Sequence, residues 1–153
     1  MQRLAEVGGL LKKIYRIYSN DLLSNLQEKG FLDLRPSFLE ILMFLSEVGE
    51  ANIKEIGHHC DLKKQTMTSH LNELEQRGYI KRSPGAQDRR ELIVSLTEYG
   101  EKFKFALLES TGELEETYFF DQGHIELERV QLSLEKLFHT VKSKNLDQQS
   151  FNL

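Results

Sequence analysis

Two adjacent arginines, Arg89 and Arg90, follow Asp88 in a short polar segment between two strand-like runs, residues 79–82 and 91–96. A carboxylate within hydrogen-bonding distance can hold a guanidinium in one orientation. An oriented arginine can enter the narrow minor groove of duplex DNA, where the potential is most negative. Since a helix-like stretch, residues 63–77, precedes this basic hairpin, the order predicts a winged helix-turn-helix that contacts duplex DNA.

The stretch 63–77 has two chemically different faces when it is drawn as a helix. Met67, Leu71 and Leu74 share one face, and the opposite face carries uncharged hydrogen-bonding side chains. Such side chains can pair with base edges in the major groove, and the two lysines at the start suit phosphate contacts. The residues predicted to contact DNA, on this helix and on the hairpin, are Lys63, Lys64, Gln65, Thr66, Thr68, Ser69, Asn72, Arg77, Arg82, Asp88, Arg89 and Arg90.

The charge of the chain is distributed unevenly. The whole chain has a formal net charge of -4, but residues 63–90 hold seven basic and three acidic residues, so that this segment carries +4 and the remainder -8. A basic segment within an acidic body favours local phosphate contact over general adhesion to polyanions.

Length and composition favour a globular protein and argue against a membrane protein. The 153 residues, 39% hydrophobic and 29% charged, are typical of a globular protein with one domain and some elaboration. No run reaches the ~18 apolar residues of a membrane span, and the first residues lack the features of a signal peptide. A single cysteine fits a reducing compartment. We therefore expect a cytoplasmic protein without a membrane partner.

Hydrophobic periodicity predicts a mainly α fold with a small β-hairpin wing. Helices are expected over 2–29, 36–48, 53–59, 63–77 and 124–143, with another beginning after Thr97 and broken at 121–123. Asn52 and Glu55 have the spacing of a capping box. Within a single unit, 1–153, we expect a winged helix-turn-helix lobe at 34–97. Helical dimerisation regions at 1–30 and 98–145 would flank it.

The terminal helices carry more apolar surface than a small central domain can cover. The first helix has a broad apolar stripe, and the last has apolar residues at alternating steps of three and four, a pattern that packs against another helix: Leu127, Val130, Leu134, Leu137 and Val141. We expect these faces to pair in a homodimer. A two-fold dimer also places two reading helices about one DNA turn apart, which matches a palindromic site.

Cys60 and its neighbours His58 and His59 leave an alternative open. Adjacent histidines on a helix point about 100° apart and seldom bind one ion, and a structural zinc site needs four protein ligands. A buried thiol is the simpler interpretation of Cys60. The alternative is a regulator that responds to redox state or metal through these three residues. We find no catalytic constellation, so we predict no enzyme activity, no metal and no cofactor.

The segment 34–103 resembles the multiple-antibiotic-resistance regulator (MarR) family of bacterial winged-helix repressors. The matching sequences are KQTMT at 64–68, LEQRGYI at 74–80 and DRRELIVSLTEYG at 88–100. The resemblance implies an obligate homodimer whose interface is built by both chain ends. It also implies that Asp88 orients Arg90 in the minor groove, and that Thr66 and Thr68 belong to the recognition helix. Ser69 and Lys63 depart from the residues common in the family.

The function predicted from these features is a sequence-specific, double-stranded-DNA-binding transcriptional regulator. The resemblance implies a ligand-responsive repressor that acts as a homodimer on a palindromic operator. Family effectors are often small aromatic compounds bound where the dimerisation helices meet the reading lobe; the residues that would bind one here are unknown. A further alternative is a winged-helix protein-interaction module that binds no DNA.

Overall fold

The computed structural model describes residues 2–120 and 124–151. These residues form six helices and three strands: α1 (Arg3–Glu28), α2 (Pro36–Val48), β1 (Glu50–Asn52), α3 (Ile53–Cys60), α4 (Lys64–Gln76), β2 (Ile80–Pro84), β3 (Leu92–Leu96), α5 (Glu98–Phe119) and α6 (His124–Phe151). The chain divides into two compact units, Met1–Leu114 and Glu115–Leu153.

The first unit has one apolar core. Helices α2, α4 and α5 contribute residues of the faces predicted from periodicity, whereas α1 contributes Leu22 and Leu26 and leaves most of its predicted apolar stripe exposed. Met67, Leu71 and Leu74 of α4 are buried, which leaves the polar face of that helix outside. The largest contribution comes from α2, whose buried residues are Phe38, Leu39, Ile41, Leu42 and Leu45. Each large apolar side chain removed from water contributes roughly 1.5–3 kcal/mol. The core therefore fixes α4 firmly enough to present its outer face as a rigid surface.

The small sheet has three strands rather than the two of the predicted hairpin. Its order is β1-β3-β2 and both pairings are antiparallel. Ile80 pairs with Leu96 and Pro84 with Leu92 in the hairpin, and Glu50 pairs with Ser95 on the other edge. Three residues are too few for β1 to show an alternating pattern. This strand, which pairs with the hairpin along β3, could therefore not be predicted from the sequence pattern.

The predicted ends of the helices before and after the hairpin are confirmed. Asn52 accepts a hydrogen bond from the Glu55 N–H at 2.7 Å and completes the capping box of α3. Gly78 has φ of +86°, the left-handed conformation that ends a helix most easily at glycine. The chain can turn there from α4 directly into β2. Thr97 Oγ1 accepts from the Gly100 N–H at 3.0 Å at the start of α5.

The second unit contains α6, which is longer than predicted. The helix continues to Phe151 rather than ending near residue 143. Residues 144–151 are mostly polar, but they include no glycine or proline, and polar residues do not by themselves end a helix. The predicted break at 121–123 lies outside the described residues. The apolar stripe of α6 is half-exposed or exposed, with Val130 and Val141 each 49% exposed.

Candidate nucleic-acid interface

The outer face of α4 is polar and exposed. Met67, Leu71 and Leu74 anchor the inner face, whereas the side chains at 65, 66, 68, 69, 72 and 76 are all exposed. Thr68 donates its hydroxyl to the Lys64 carbonyl at 2.8 Å. The face therefore offers amide and hydroxyl groups, which are the groups that read base edges in the major groove.

The start of α4 has two lysines and no side-chain cap. Lys63 is the N-cap residue and has extended backbone angles, but no side chain accepts a hydrogen bond there. Both Lys63 and Lys64 are exposed, and neither makes an ion pair with a described residue. Their charges are free to meet an external anion.

The wing tip, residues 85–91, is a closed loop held by backbone hydrogen bonds. The Gly85 N–H donates to the Glu91 carbonyl at 2.7 Å, and the Glu91 N–H donates to the Asp88 carbonyl at 3.1 Å. A Cβ at Gly85 would lie 2.7 Å from that Asp88 oxygen, so glycine is required for the loop to close so tightly. The tip is thus preorganised by its own backbone.

Asp88 organises the tip in a different way from the one predicted. Its carboxylate accepts the backbone N–H of Arg90 at 3.0 Å and, within the described residues, pairs with no guanidinium. An aspartate that bonds the backbone two residues ahead fixes a turn. Asp88 therefore shapes the loop that carries Arg89 and Arg90. Both of these arginines are exposed and have no ion-pair partner among the described residues.

Arg82, at the base of the wing, is engaged within the fold. Its Nε donates to Glu75 at 2.6 Å and its Nη2 donates to the Asn72 amide oxygen at 2.7 Å. The Arg82 side chain is 22% exposed. Because Glu75 and Asn72 lie on α4, this guanidinium ties strand β2 to the helix.

Arg77 is likewise engaged at the end of α4. It donates to the Asp33 carbonyl and to Glu73 at 3.2 Å, and its guanidinium carbon lies 5.3 Å from the centre of the Phe38 ring. Arg35 also reaches Glu73, at 2.6 Å. Both guanidinium groups therefore have partners within the protein, and the DNA contacts of Arg77 and Arg82 stay a prediction.

The wing is also joined to α3. The Asn52 side-chain amide donates to the Glu91 carboxylate at 2.5 Å, so the residue that caps α3 also holds the last residue of the tip. A cleft of about 820 Å³ lies between α3, the start of α4 and the wing. Sequence reasoning identified Asn52 only as a cap, because its partner is 39 residues away.

The environment of Cys60 bears on the redox alternative. The thiol is buried, with 5% exposure, and burial, with a smaller effect of the Glu40 charge, raises the pKa of Cys60 to about 11. A reactive cysteine needs a lowered pKa and an exposed thiol. The Cys60 thiol is buried and its pKa is raised, so it has neither property.

The two histidines beside Cys60 do not complete a metal site. His59 stacks on Phe44 with the ring centres 4.1 Å apart, and His58 is exposed. Within 2–120 and 124–151 no three potential metal ligands come together.

A second, smaller cleft lies beside α1. It measures about 170 Å³ and its walls are mostly aromatic and acidic; it is lined by Tyr15, Tyr18, Ser19, Leu39, Glu40, Met43, Phe44, Glu47 and His59. Burial, and to a lesser extent Tyr15, raises the pKa of Tyr18, so that its hydroxyl remains protonated at neutral pH.

Comparison with known proteins identifies the family of the chain. The model of the MarR family matches residues 34–92. The transcriptional regulator SarZ of Staphylococcus epidermidis is 32% identical over 107 residues, which cover 70% of this chain and 68% of SarZ. The chain belongs to the MarR family.

Other relatives of this MarR-family chain carry similar names. An uncharacterized helix-turn-helix regulator, YfiV of Bacillus subtilis, is 30% identical over 70% of the chain, and the match spans 59% of that relative's length. The transcriptional repressor IacR of Pseudomonas putida is 29% identical over 73% of the chain and 67% of IacR.

Solved structures confirm the winged-helix fold. AbfR of Staphylococcus epidermidis is 27% identical, with a TM-score of 0.73 over 92% of this chain and 95% of AbfR. A structure of reduced AbfR bound to DNA matches with a TM-score of 0.68 over the same shares of the two chains. Within the described ranges, no helix has both the length and the apolar character needed to cross a bilayer.

Proposed function

We propose that this MarR-family chain is a sequence-specific transcriptional regulator that binds duplex DNA, with α4 in the major groove and the wing tip in the flanking minor groove. One observation carries the proposal: beside the polar, exposed face of α4 there are two pairs of exposed cations that have no ion-pair partner among the described residues. These are Lys63 and Lys64 at the start of α4 and Arg89 and Arg90 at the wing tip, and Lys64 and Arg90 line the same cleft. Phosphate contacts set the position of a protein on DNA, and polar side chains read base edges. Chromosomal DNA as the target implies a cytoplasmic location.

We propose that the active form is a homodimer. In α1 an apolar stripe remains uncovered in the single chain, with Leu4 69%, Leu10 57%, Ile14 60% and Ile17 59% exposed. A stripe of this size seldom remains in water on a monomer, and α6 presents a second one. Packing both stripes against a second copy would give the two-fold symmetry that a palindromic operator mirrors.

We propose further that the protein represses transcription and responds to a ligand. Repression is supported by the relative IacR, which is named a transcriptional repressor. A small aromatic effector fits the aromatic walls of the cleft beside α1, where Tyr15, Tyr18 and Phe44 come together. At about 170 Å³ the cleft is smaller than the ~300 Å³ of ordinary ligand pockets, so an effector would have to widen it. A ligand that binds the widened form preferentially would change the conformational equilibrium of the lobe.

Salt-dependent duplex binding tests the DNA part. Duplexes selected from a randomised pool should bind with an affinity that falls steeply between 50 and 200 mM salt, by about 0.9 logarithmic units per logarithmic unit of salt for each phosphate contacted. The variant Arg89→Gln/Arg90→Gln should have a shallower slope. Lys12→Gln/Lys13→Gln, which removes two exposed charges from α1, should retain the wild-type slope. Equal slopes for the two variants would remove the wing tip from the interface, and binding without salt dependence would favour a protein-interaction module.

The mass in solution tests the dimer. Light scattering coupled to gel filtration should give twice the 17.8 kDa of one chain. Ile14→Asp should shift the protein toward the monomer, because a charge in an apolar interface is costly. Leu32→Asp is a matched control, because Leu32 is 73% exposed and lies outside both predicted dimerisation regions. A monomeric wild type at micromolar concentration would refute this part.

A further inference from the structure

The contact between Arg82 and Asn72 concerns how α4 would read a base pair. The amide oxygen of Asn72 accepts a hydrogen bond from Arg82 Nη2 at 2.7 Å. Asn72 is exposed on the outer face of the helix, in the centre of the surface proposed to enter the major groove. The two amide N–H donors of Asn72 make no hydrogen bond to a described residue.

This contact determines which half of the amide is left for DNA. Asparagine recognises adenine with both halves at once, because its oxygen accepts from adenine N6 while its nitrogen donates to N7. Here the oxygen is turned toward Arg82 and already uses one of its two lone pairs there. The side chain is left with a donating group, and guanine is the base that presents two adjacent acceptors, N7 and O6.

Glu75 also holds the Arg82 guanidinium in place. Its carboxylate accepts Arg82 Nε at 2.6 Å, so two groups on α4 fix one guanidinium. Charge-assisted hydrogen bonds of this kind are roughly twice as strong as neutral ones. A planar guanidinium can serve both partners at once, which a point-charged ammonium does less well.

We propose that Arg82 is a specificity-determining residue: by holding the Asn72 oxygen against β2, it makes Asn72 select guanine rather than adenine at the base pair it contacts. The proposal rests on the DNA-binding function proposed above and adds to it the chemistry of one base contact. Arg82 acts through Asn72 and is thus a positioning residue. The competing role is a phosphate contact, in which Arg82 would leave Glu75 when DNA binds.

The experiment compares base preferences within each variant, so that differences in total affinity cancel. Selection from a randomised duplex pool gives the wild-type site, and Asn72→Ala identifies the base pair whose preference depends on Asn72. Matched duplexes with guanine or adenine at that position are then titrated. The variants are Arg82→Met and the charge-conserving double variant Glu75→Gln/Arg82→Met. Lys81→Met is the control, since it removes the same charge from the adjacent exposed residue, which has no partner on α4.

The wild type should prefer guanine, and both Arg82 variants should shift the guanine-to-adenine ratio toward adenine by about tenfold, since a bidentate pair discriminates by that order. Lys81→Met should keep the wild-type ratio. Thermal melting confirms that each variant is folded, and the double variant avoids leaving Glu75 unpaired beside DNA.

Three results would overturn the proposal: a wild-type preference for adenine at the mapped pair, an unchanged ratio in the double variant, or no base pair that depends on Asn72. A wild type that binds no duplex in a salt-dependent manner would instead refute the DNA-binding function itself, and this inference with it.

Discussion

The wing carries two kinds of arginine that differ in what they contact. At its tip, Arg89 and Arg90 are exposed and have no ion-pair partner among the described residues. At its base, Arg82 is held by Glu75 and Asn72, and at the adjoining end of α4 Arg77 is held by Asp33 and Glu73. The comparison indicates that the first pair is available to an external partner, whereas the second pair shapes the surface that meets it.

The largest expected effect lies at the tip. Arg90→Ala should weaken binding to a selected duplex by roughly tenfold or more, since an arginine contact to DNA contributes about 1–3 kcal/mol. The melting temperature should change little, because the Arg90 side chain is exposed and only its backbone N–H makes a hydrogen bond within the described residues. Fluorescence anisotropy at fixed salt measures the first quantity, and thermal denaturation the second. Wild-type affinity in this variant would show that the tip remains outside the complex.

Arg77 should behave in the opposite way. Arg77→Ala removes two ion pairs, with Glu73 and Asp33, a hydrogen bond to the Asp33 carbonyl and the contact with Phe38. We expect the free energy of unfolding to fall by about 1–2 kcal/mol, given the modest contributions of partly exposed ion pairs and cation–π contacts. Urea denaturation measures the change, and Lys81→Ala should have almost no effect. An unchanged urea midpoint combined with lost DNA affinity would move Arg77 into the group of direct DNA contacts.

The sequence predicted the elements of this surface well and the partners of its charges poorly. The faces of α4, the capping box at Asn52 and the hairpin follow from periodicity and local spacing, which the sequence shows directly. The partners of Arg77 include Asp33, 44 residues away, and nothing in the spacing of residues reveals such a pair. Strand β1 was missed for the same reason, since its pairing with β3 crosses more than 40 residues.

For Asp88 the sequence predicted the position of the residue but not its hydrogen-bond partner. The residues Asp88, Arg89 and Arg90 were correctly placed at the turn, but the carboxylate bonds a backbone N–H rather than a guanidinium. An aspartate in a tight turn has a backbone donor two residues ahead at short range. The local donor is always close, whereas a flexible guanidinium must be ordered to compete with it.

At the other end of α4, Lys63 has a charge that can affect both DNA binding and the stability of the helix. It occupies an N-cap position without providing a cap, so Lys63→Asp should stabilise the fold by about 0.5–1 kcal/mol while it weakens DNA binding by removing a cation. Lys63→Ala should weaken binding without stabilising the fold. Urea denaturation and anisotropy separate the two effects. A destabilised Lys63→Asp protein would show that the uncapped helix end is satisfied in another way.

The smallest expected effect concerns a charge pair for which no DNA contact is proposed. Lys29 of α1 lies 2.9 Å from Glu113 of α5, and hydrogen bonds from Lys29 and then Asn25 lower the pKa of Glu113. A carboxylate whose pKa is lowered by folding adds stability above its unfolded pKa of about 4.3. That stability is lost as the pH falls through the folded value.

The wild-type protein should therefore lose a little stability as the pH falls below about 4.3 that Glu113→Gln does not lose, as followed by urea midpoints at several pH values. Glu109→Gln should behave more like the wild type, since Glu109 lies farther from Lys29 Nζ, at 3.6 Å, and is more exposed. DNA affinity should be the same in all three proteins, because a charge engaged in the fold away from α4 has no phosphate to meet. A change in affinity in Glu113→Gln alone would contradict the division between charges that fold the chain and charges that bind DNA.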